Sequence, residues 1–292
     1  MKKAVHLVED SGYDLFTVTD HFMNMADPEG QYNHPLEAWT LLAALAAETS
    51  NIRLSPLVSC YGYRRPTVLA KMATTVDIIS GGRLIFGIGG GWHEAEFKGF
   101  MGKFPSGPRR LTGLKETIKI AKGMFTHERF SYDGKLYKVD NVLNSPQPIQ
   151  KPIPIMIGGG GEQRTMRYAA RYADISHFFI NDVDQLKHKL QILKKHCKRE
   201  GTDYDKIVKG TTFRVVLGSE KEINAKIEKR AKEYHLPVEP MKSRLGLGAG
   251  KPSEVADRFK ELFDNGLGLV TLSFISMNDI PVFAEEVISQ FR

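Results

Sequence analysis

Residues 83–92 read RLIFGIGGGW: a compact apolar run, Leu84, Ile85, Phe86 and Ile88, that ends in Gly89, Gly90 and Gly91 and is followed by Trp92. The run is short, lacks helical spacing and is bounded by Gly81-Gly82 on one side and Gly89 on the other, which predicts a buried strand. Glycines just past a strand end let the backbone approach a flat ligand, because no side chain intervenes. A plain tight turn is the alternative. A second stretch repeats the design: IPIMIGGGG, residues 153–161. Two strands that end in glycine-rich turns on the same side suggest one ligand held between them.

Outward from this stretch the chain alternates. An amphipathic helix over Met1 to Ser11, with Val5 and Val8 on one side, precedes a strand over Leu15 to Thr19 that closes on Asp20-His21. Pro35 opens a helix, Ile52 to Val58 is a strand, and Pro66 opens a helix through Ile79. After Trp92 come a short helical piece and a helix to about Thr126. A hairpin around Asp133-Gly134 and a proline-rich link then interrupt the rhythm, an insertion over about 128–152. Strands over 153–157, 174–179 and near 212–217 follow, with helices over 162–171, 182–200, 220–234 and 253–265. A last strand, 269–274, precedes a helix with Asp279 as N-cap. Repeated βα units mean a parallel sheet, either doubly wound or closed into a barrel. Nothing in the 292 residues resembles a domain linker, so the chain reads as a single α/β barrel domain over 1–292. Seven strands are one short of the eightfold TIM barrel, and the chain starts on a helix. The first strand is therefore missing, which exposes two strand edges. Either a later-than-natural start or some other element filling the gap is expected.

Composition narrows the function. The net charge of +7 comes from 41 basic against 34 acidic residues, with no basic stripe interleaved with aromatics, so nucleic acid is not the expected partner. The densest basic segment, Lys187 to Arg199, alternates with Leu186, Leu190 and Leu193, as the solvated face of an amphipathic helix does. Cys60 and Cys197 have no metal-binding or CxxC spacing, which points to a reducing compartment and no metal site. No apolar core follows the N-terminal lysines and no segment reaches membrane-spanning length. A soluble cytoplasmic protein is the expectation. Three motif matches fail. Gly87 to Trp92 lacks the third glycine of a dinucleotide fingerprint, Gly250-Lys251 has Leu245 and Pro252 where a P-loop needs Gly and Ser/Thr, and His93-Glu94 has Phe97 where a zinc motif needs His.

Three strand ends carry the candidate chemistry. Asp20-His21 offers a polar pair whose histidine can pass a proton near neutral pH, Leu57-Val58-Ser59 an apolar shelf, and Trp92 an indole edge. Together they suit a planar redox-active cofactor at a barrel mouth. Gly158, Gly159, Gly160 and Gly161 lead into a helix whose first N–H groups, with Arg164 and Thr165, would hold a phosphate.

VTDHF (18–22), IRLSPLVS with YRRPTVLAKMATTVDIISGGRL, FGIGGGWHEAEF and IPIMIGGGGEQRTMRYAARYAD together resemble the bacterial-luciferase-like superfamily, in its coenzyme F420-dependent branch. The resemblance runs from about Gly12 to Asp174, with a fainter echo in GKPSEVADRFKELFDNGLGLVTLSF. It implies a luciferase-like (β/α)8 barrel, usually a homodimer, that binds F420, or alternatively FMN, at its C-terminal mouth. By the same resemblance Asp20 would touch the ring and His21 would sit over the reactive carbon. The Leu57–Val58 bond falls where the family often has a non-proline cis peptide. Gly90, Gly91 and Trp92 would line the ring, and Gly158 to Gly161 would hold the tail phosphate. The implied reaction is hydride transfer between deazaflavin and a small organic substrate, with His21 polarising or protonating. An FMN-dependent monooxygenase is the same-fold alternative, and a non-catalytic or degenerate cofactor-binding protein the alternative of another class. Met25 and Trp92 stand where the sugar-phosphate dehydrogenases of this branch carry a tryptophan and a glutamate, which argues against sugar-phosphate oxidation.

Overall fold

The computed structural model describes residues 1–24, 35–243 and 245–292; the Met25 departure lies outside the described residues. Helix α1 (Lys2–Asp10) leads into β1 (Leu15–Val18). Then come α2 (Ala38–Glu48), β2 (Arg53–Pro56), β3 (Ser59–Cys60), α3 (Pro66–Ile79), β4 (Phe86–Gly89), α4 (Glu94–Met101) and α5 (Gly107–Thr126). The hairpin is β5 (Arg129–Asp133) with β6 (Lys138–Leu143). The alternation resumes with β7 (Ile155–Gly158), α6 (Thr165–Tyr172), β8 (Ile175–His177), α7 (Val183–Glu200) and β9 (Val208–Leu217). It ends with α8 (Glu220–Tyr234), α9 (Val238–Lys242), β10 (Ala249–Gly250), α10 (Pro252–Asp264), β11 (Leu269–Phe274) and α11 (Asp279–Glu286).

Outside the hairpin every strand pairing is parallel, in the order β3, β4, β7, β8, β9, with β11 and the two-residue β10 both on β9. The β1–β2 pair joins this sheet through a parallel bridge between Leu54 and Leu84. That the sheet curls round a common lumen follows from what packs inside it. Ile85, Met156 and Ile175 form one buried cluster that is contacted by Leu15 of β1 and by Leu269 of β11, the two ends of the strand order. Outward-facing side chains of the same strands join a larger core shared with the helices. Among the described residues no strand pairs with the free edges of β1 and β11. A side-chain contact spans the seam instead: the Tyr13 ring meets Phe274 edge-on at 6.0 Å, and its hydroxyl donates to the Ile280 carbonyl at 2.7 Å.

Two half-buried polar devices tie the helix ends to the strands. The Glu9 carboxylate accepts from the successive amides of Ser50, Asn51 and Ile52, at 2.7–3.0 Å. Arg83, just before β4, donates to the carbonyls of Ala46, Thr49, Ile52 and Ser80, so one guanidinium satisfies the C-terminal end of α2 and the start of β2. Helix α2 starts at Ala38, later than Pro35, because the Glu37 carboxylate caps the amides of Trp39 and Thr40. The expected N-cap at Asp279 moves by one residue, to Asn278. Asp279 is buried and instead accepts from the Leu217 amide at 3.0 Å and the Lys226 ammonium at 2.6 Å, pinning α11 to the end of β9. The hairpin around Asp133-Gly134 is present and antiparallel. No helix among the described residues is long and apolar enough to cross a membrane.

Candidate active site

His21, Trp92 and Gly159, all singled out in the sequence, follow the C-terminal ends of β1, β4 and β7, and so stand at one mouth of the barrel. The Leu57–Val58 peptide is cis, as the resemblance implies, and both residues pack on the lumen cluster. The Val58 side chain occupies the place where Gly89 and Gly158 would carry a Cβ, each 2.7 Å from its Cγ2. These two glycines are thus accounted for by a valine shelf between β4 and β7. Gly91 is likewise closed off by Cys60 and Phe97 and has φ +67°. Gly90 and Gly160 differ: a Cβ at either meets nothing nearer than 3.6 Å, so protein packing does not require glycine there. They are the open positions of the two glycine runs.

The polar pair after β1 divides between two networks. Asp20 is buried, and both its oxygens accept from Arg64, at 2.8 and 2.9 Å. Arg64 also donates to Glu37. Burial acts to raise the Glu37 carboxyl, but the hydrogen bonds from Thr40, Arg64 and Trp39 outweigh it and hold it at about 2. His21 belongs to another network. Its Nδ1 lies 2.8 Å from Glu96 Oε2. Glu96, on α4, is fully buried and also accepts from the Tyr63 hydroxyl and from the amides of Phe22 and Met23 at 2.7 and 2.9 Å. Burial pushes the Glu96 carboxyl up, yet the hydrogen bonds from Tyr63, His21 and Met23 prevail and leave it below its ordinary 4.5. An ionised acceptor at Nδ1 fixes the Nδ1–H tautomer of His21 and leaves Nε2 without a partner among the described residues. Sequence reading passed over Glu96, although a carboxylate beside Phe97 and Phe100 on one helical face was a visible anomaly.

Trp92 stands edge-on to His21, with ring centroids 5.6 Å apart. His93 caps α4 by accepting from the Glu96 amide. On the far side of the shelf, His177 faces the lumen: a Cβ on Gly210 would lie 3.1 Å from its ring. Its Nε2 lies 3.2 Å from the Thr271 hydroxyl and 3.3 Å from that of Thr212, and the two hydroxyls are 2.6 Å apart. Burial drives its pKa down to about 4, so this imidazole is neutral. It too was missed. The Gly158–Gly161 turn leads into α6, with Arg164 as N-cap and Thr165 as the buried first helical residue. Arg164 donates to the Tyr168 hydroxyl at 3.2 Å, and Lys189 reaches the Gly160 carbonyl at 3.1 Å. Among the described residues no group of His, Cys, Asp and Glu is placed to hold a metal ion.

Comparison with known proteins agrees with this geometry. An uncharacterized protein of Mycobacterium tuberculosis is 32% identical over 194 residues, covering 62% of this chain and 68% of that protein. The FMNH2-dependent dimethylsulfone monooxygenase of Pseudomonas putida is 24% identical over 200 residues, covering 68% of this chain and 54% of the enzyme. A solved F420-dependent secondary alcohol dehydrogenase shares the fold with a TM-score of 0.85 at 17% identity, covering 100% of this chain and 94% of that one. The sequence profile of the luciferase-like monooxygenase family matches residues 1–265. The chain belongs to the luciferase-like monooxygenase family and is an enzyme of that class with an α/β, mostly parallel, TIM-barrel fold.

Proposed function

We propose that the protein transfers a hydride between coenzyme F420 and a small organic alcohol or carbonyl compound, with His21 exchanging the substrate proton. The observation that carries this reading is the His21–Glu96 pair, which leaves the other imidazole nitrogen without a partner among the described residues and would balance a positive charge formed on the ring. The residues fit a flat, phosphate-bearing cofactor. The Val58 shelf is apolar and level because Gly89 and Gly158 add no side chains beside it. Gly90 and Gly160 leave backbone open, and the start of α6 with Arg164 and Thr165 offers donors to an anion. Leu57, Gly91, Trp92, Gly159 and Gly161 complete this set. A bound deazaflavin supplies a two-electron, hydride-accepting centre. His21 takes the hydroxyl proton on Nε2, Glu96 stabilises the resulting imidazolium, and Asp20, engaged by Arg64, positions the loop that carries His21. A homodimer and a cytoplasmic location belong to the same reading.

The FMN-dependent monooxygenase is the second reading, favoured by the activity of the Pseudomonas relative. Titration of the protein with F420 and with FMN, followed by visible absorbance, separates the two. Tight binding of F420 alone is expected. Tight binding of FMN alone would transfer the assignment to oxygen-dependent chemistry, and binding of neither would support the non-catalytic alternative.

A further inference from the structure

Trp92, His21 and His93 form a cluster of rings beyond the ends of β1 and β4. The His21 and His93 centroids are 5.9 Å apart, and Trp92 stands 5.6 Å from the first and 5.1 Å from the second, edge-on in each case. His93 thus lies against the His21 ring as well as at the start of α4.

One residue fixes both imidazoles, through two groups of opposite polarity. The Glu96 carboxylate accepts at His21 Nδ1 (2.8 Å), whereas the Glu96 backbone N–H donates to His93 Nδ1 (3.3 Å). The second bond follows from the sequence: His93 is the N-cap of α4 and Glu96 its third residue, the spacing at which a cap accepts. An acceptor demands a proton on the ring nitrogen it faces, and a donor forbids one. Neutral His21 is therefore the Nδ1–H tautomer with its lone pair on Nε2, and neutral His93 is the Nε2–H tautomer. The Glu96 carboxylate is 3.8 Å from His93 Nδ1, beyond hydrogen-bond reach, so the amide alone sets that tautomer. Among the described residues neither Nε2 has a partner.

We propose that His93 is a second catalytic residue: its Nε2–H donates a hydrogen bond to the substrate oxygen whose proton His21 Nε2 receives. Glu96 thereby makes one histidine a base and its neighbour a donor, a division that two identical tautomers could not supply. The inference rests on the hydride-transfer reading for its reaction. In the oxidative direction the hydroxyl proton moves to His21 Nε2, the carbinol C–H electron pair leaves as hydride to the deazaflavin, and the carbon–oxygen double bond forms. His93 keeps its proton throughout. Its bond to the oxygen is strongest while that oxygen carries negative charge, which lowers the barrier rather than only tightening binding.

The test needs neither cofactor nor substrate. The full-length protein is titrated with p-nitrophenol, whose anion absorbs in the visible and whose neutral form does not. Expected is uptake of the anion from a solution buffered where the free phenol is mostly neutral, its proton resting on His21. His93→Asn retains an oxygen that can cap α4, so it separates the two roles. Its affinity for the phenolate should fall at least about tenfold, as loss of a charge-assisted hydrogen bond requires. Long-range proton–nitrogen NMR spectra of the same variant should show His21 still protonated on Nδ1. His21→Asn should bind the phenol only in its neutral form. No uptake of the anion by the wild type, equal affinity in His93→Asn, or a wild-type spectrum with the His93 proton on Nδ1 would overturn the proposal. Uptake as expected by a protein that binds no F420 would remove the hydride reading and leave the imidazole pair standing.

Discussion

His21 and His177 stand at the C-terminal ends of two barrel strands and live under opposite rules. His21 is partly exposed and has an ionised carboxylate on Nδ1, so a proton gained on Nε2 is balanced at once. His177 is buried among two threonine hydroxyls and held neutral by desolvation. Hydroxyls can satisfy a neutral imidazole but cannot neutralise a charged one. The same residue type in one barrel is therefore equipped for the proton exchange proposed for His21 where a carboxylate backs it, and is held neutral where none does.

The sharpest way to break this comparison is His21→Asn. Turnover should fall by about 10²–10⁴-fold, the range for a lost general acid–base, while cofactor affinity measured by titration stays within about twofold. A variant that keeps its turnover would remove His21 from the reaction. Glu96→Gln should cost less, about a hundredfold, because the imidazole remains while its charge partner goes. The loss should fall on kcat with KM within about twofold; an unchanged kcat would mean that Glu96 only holds the loop.

His177 gives a stability prediction with the opposite sign to a paired histidine. Its folded-state pKa, about 4, lies below the unfolded value of 6.5, so the unfolded chain binds more protons in that window. Its contribution is fully present above pH 6.5 and is lost as pH falls towards 4, on the order of 3 kcal/mol in all. Denaturant unfolding of the wild type and of His177→Asn across that range should show the slope in the first and a shallower one in the second. Parallel slopes would place the acid sensitivity elsewhere. Smaller still is the effect at the seam: Tyr13→Phe removes one hydrogen bond to Ile280, with an expected loss of about 1 kcal/mol.

Local pattern in the sequence was enough for the repeating elements: the helix from Pro66 to Ile79, the helix over 220–234 and the strand over 269–274 stand where periodicity and caps put them. It was not enough for β3, α9 and β10, which span two, five and two residues and are too short to show a period. At the mouth, Asp20-His21 and the glycine runs were legible because they follow apolar strands. Which glycines face protein was not legible, since Val58, Cys60 and Phe97 reach Gly89, Gly158 and Gly91 only through tertiary packing. Glu96 escaped for a related reason. Its partners, His21, Phe22, Met23 and Tyr63, are 33 to 75 residues away, and nothing local distinguishes its carboxylate from that of its exposed neighbour Glu94.

The β5–β6 hairpin packs Phe130, Tyr132, Val139 and Val142 against the core and is clasped again at its tip. The buried carboxylate of Glu116, on α5, accepts from the successive amides of Lys135, Leu136 and Tyr137, at 2.9–3.0 Å, while most of the hairpin's side chains are exposed. A clasp of this kind limits local opening of the amides it holds. In Glu116→Gln the three tip amides should exchange faster while those of β4 and β7 keep their protection. For an engineer the hairpin is the graft point of this barrel, a place where foreign sequence can be spliced between the strands if the carboxylate clasp and the inward-facing Phe130 and Tyr132 are kept.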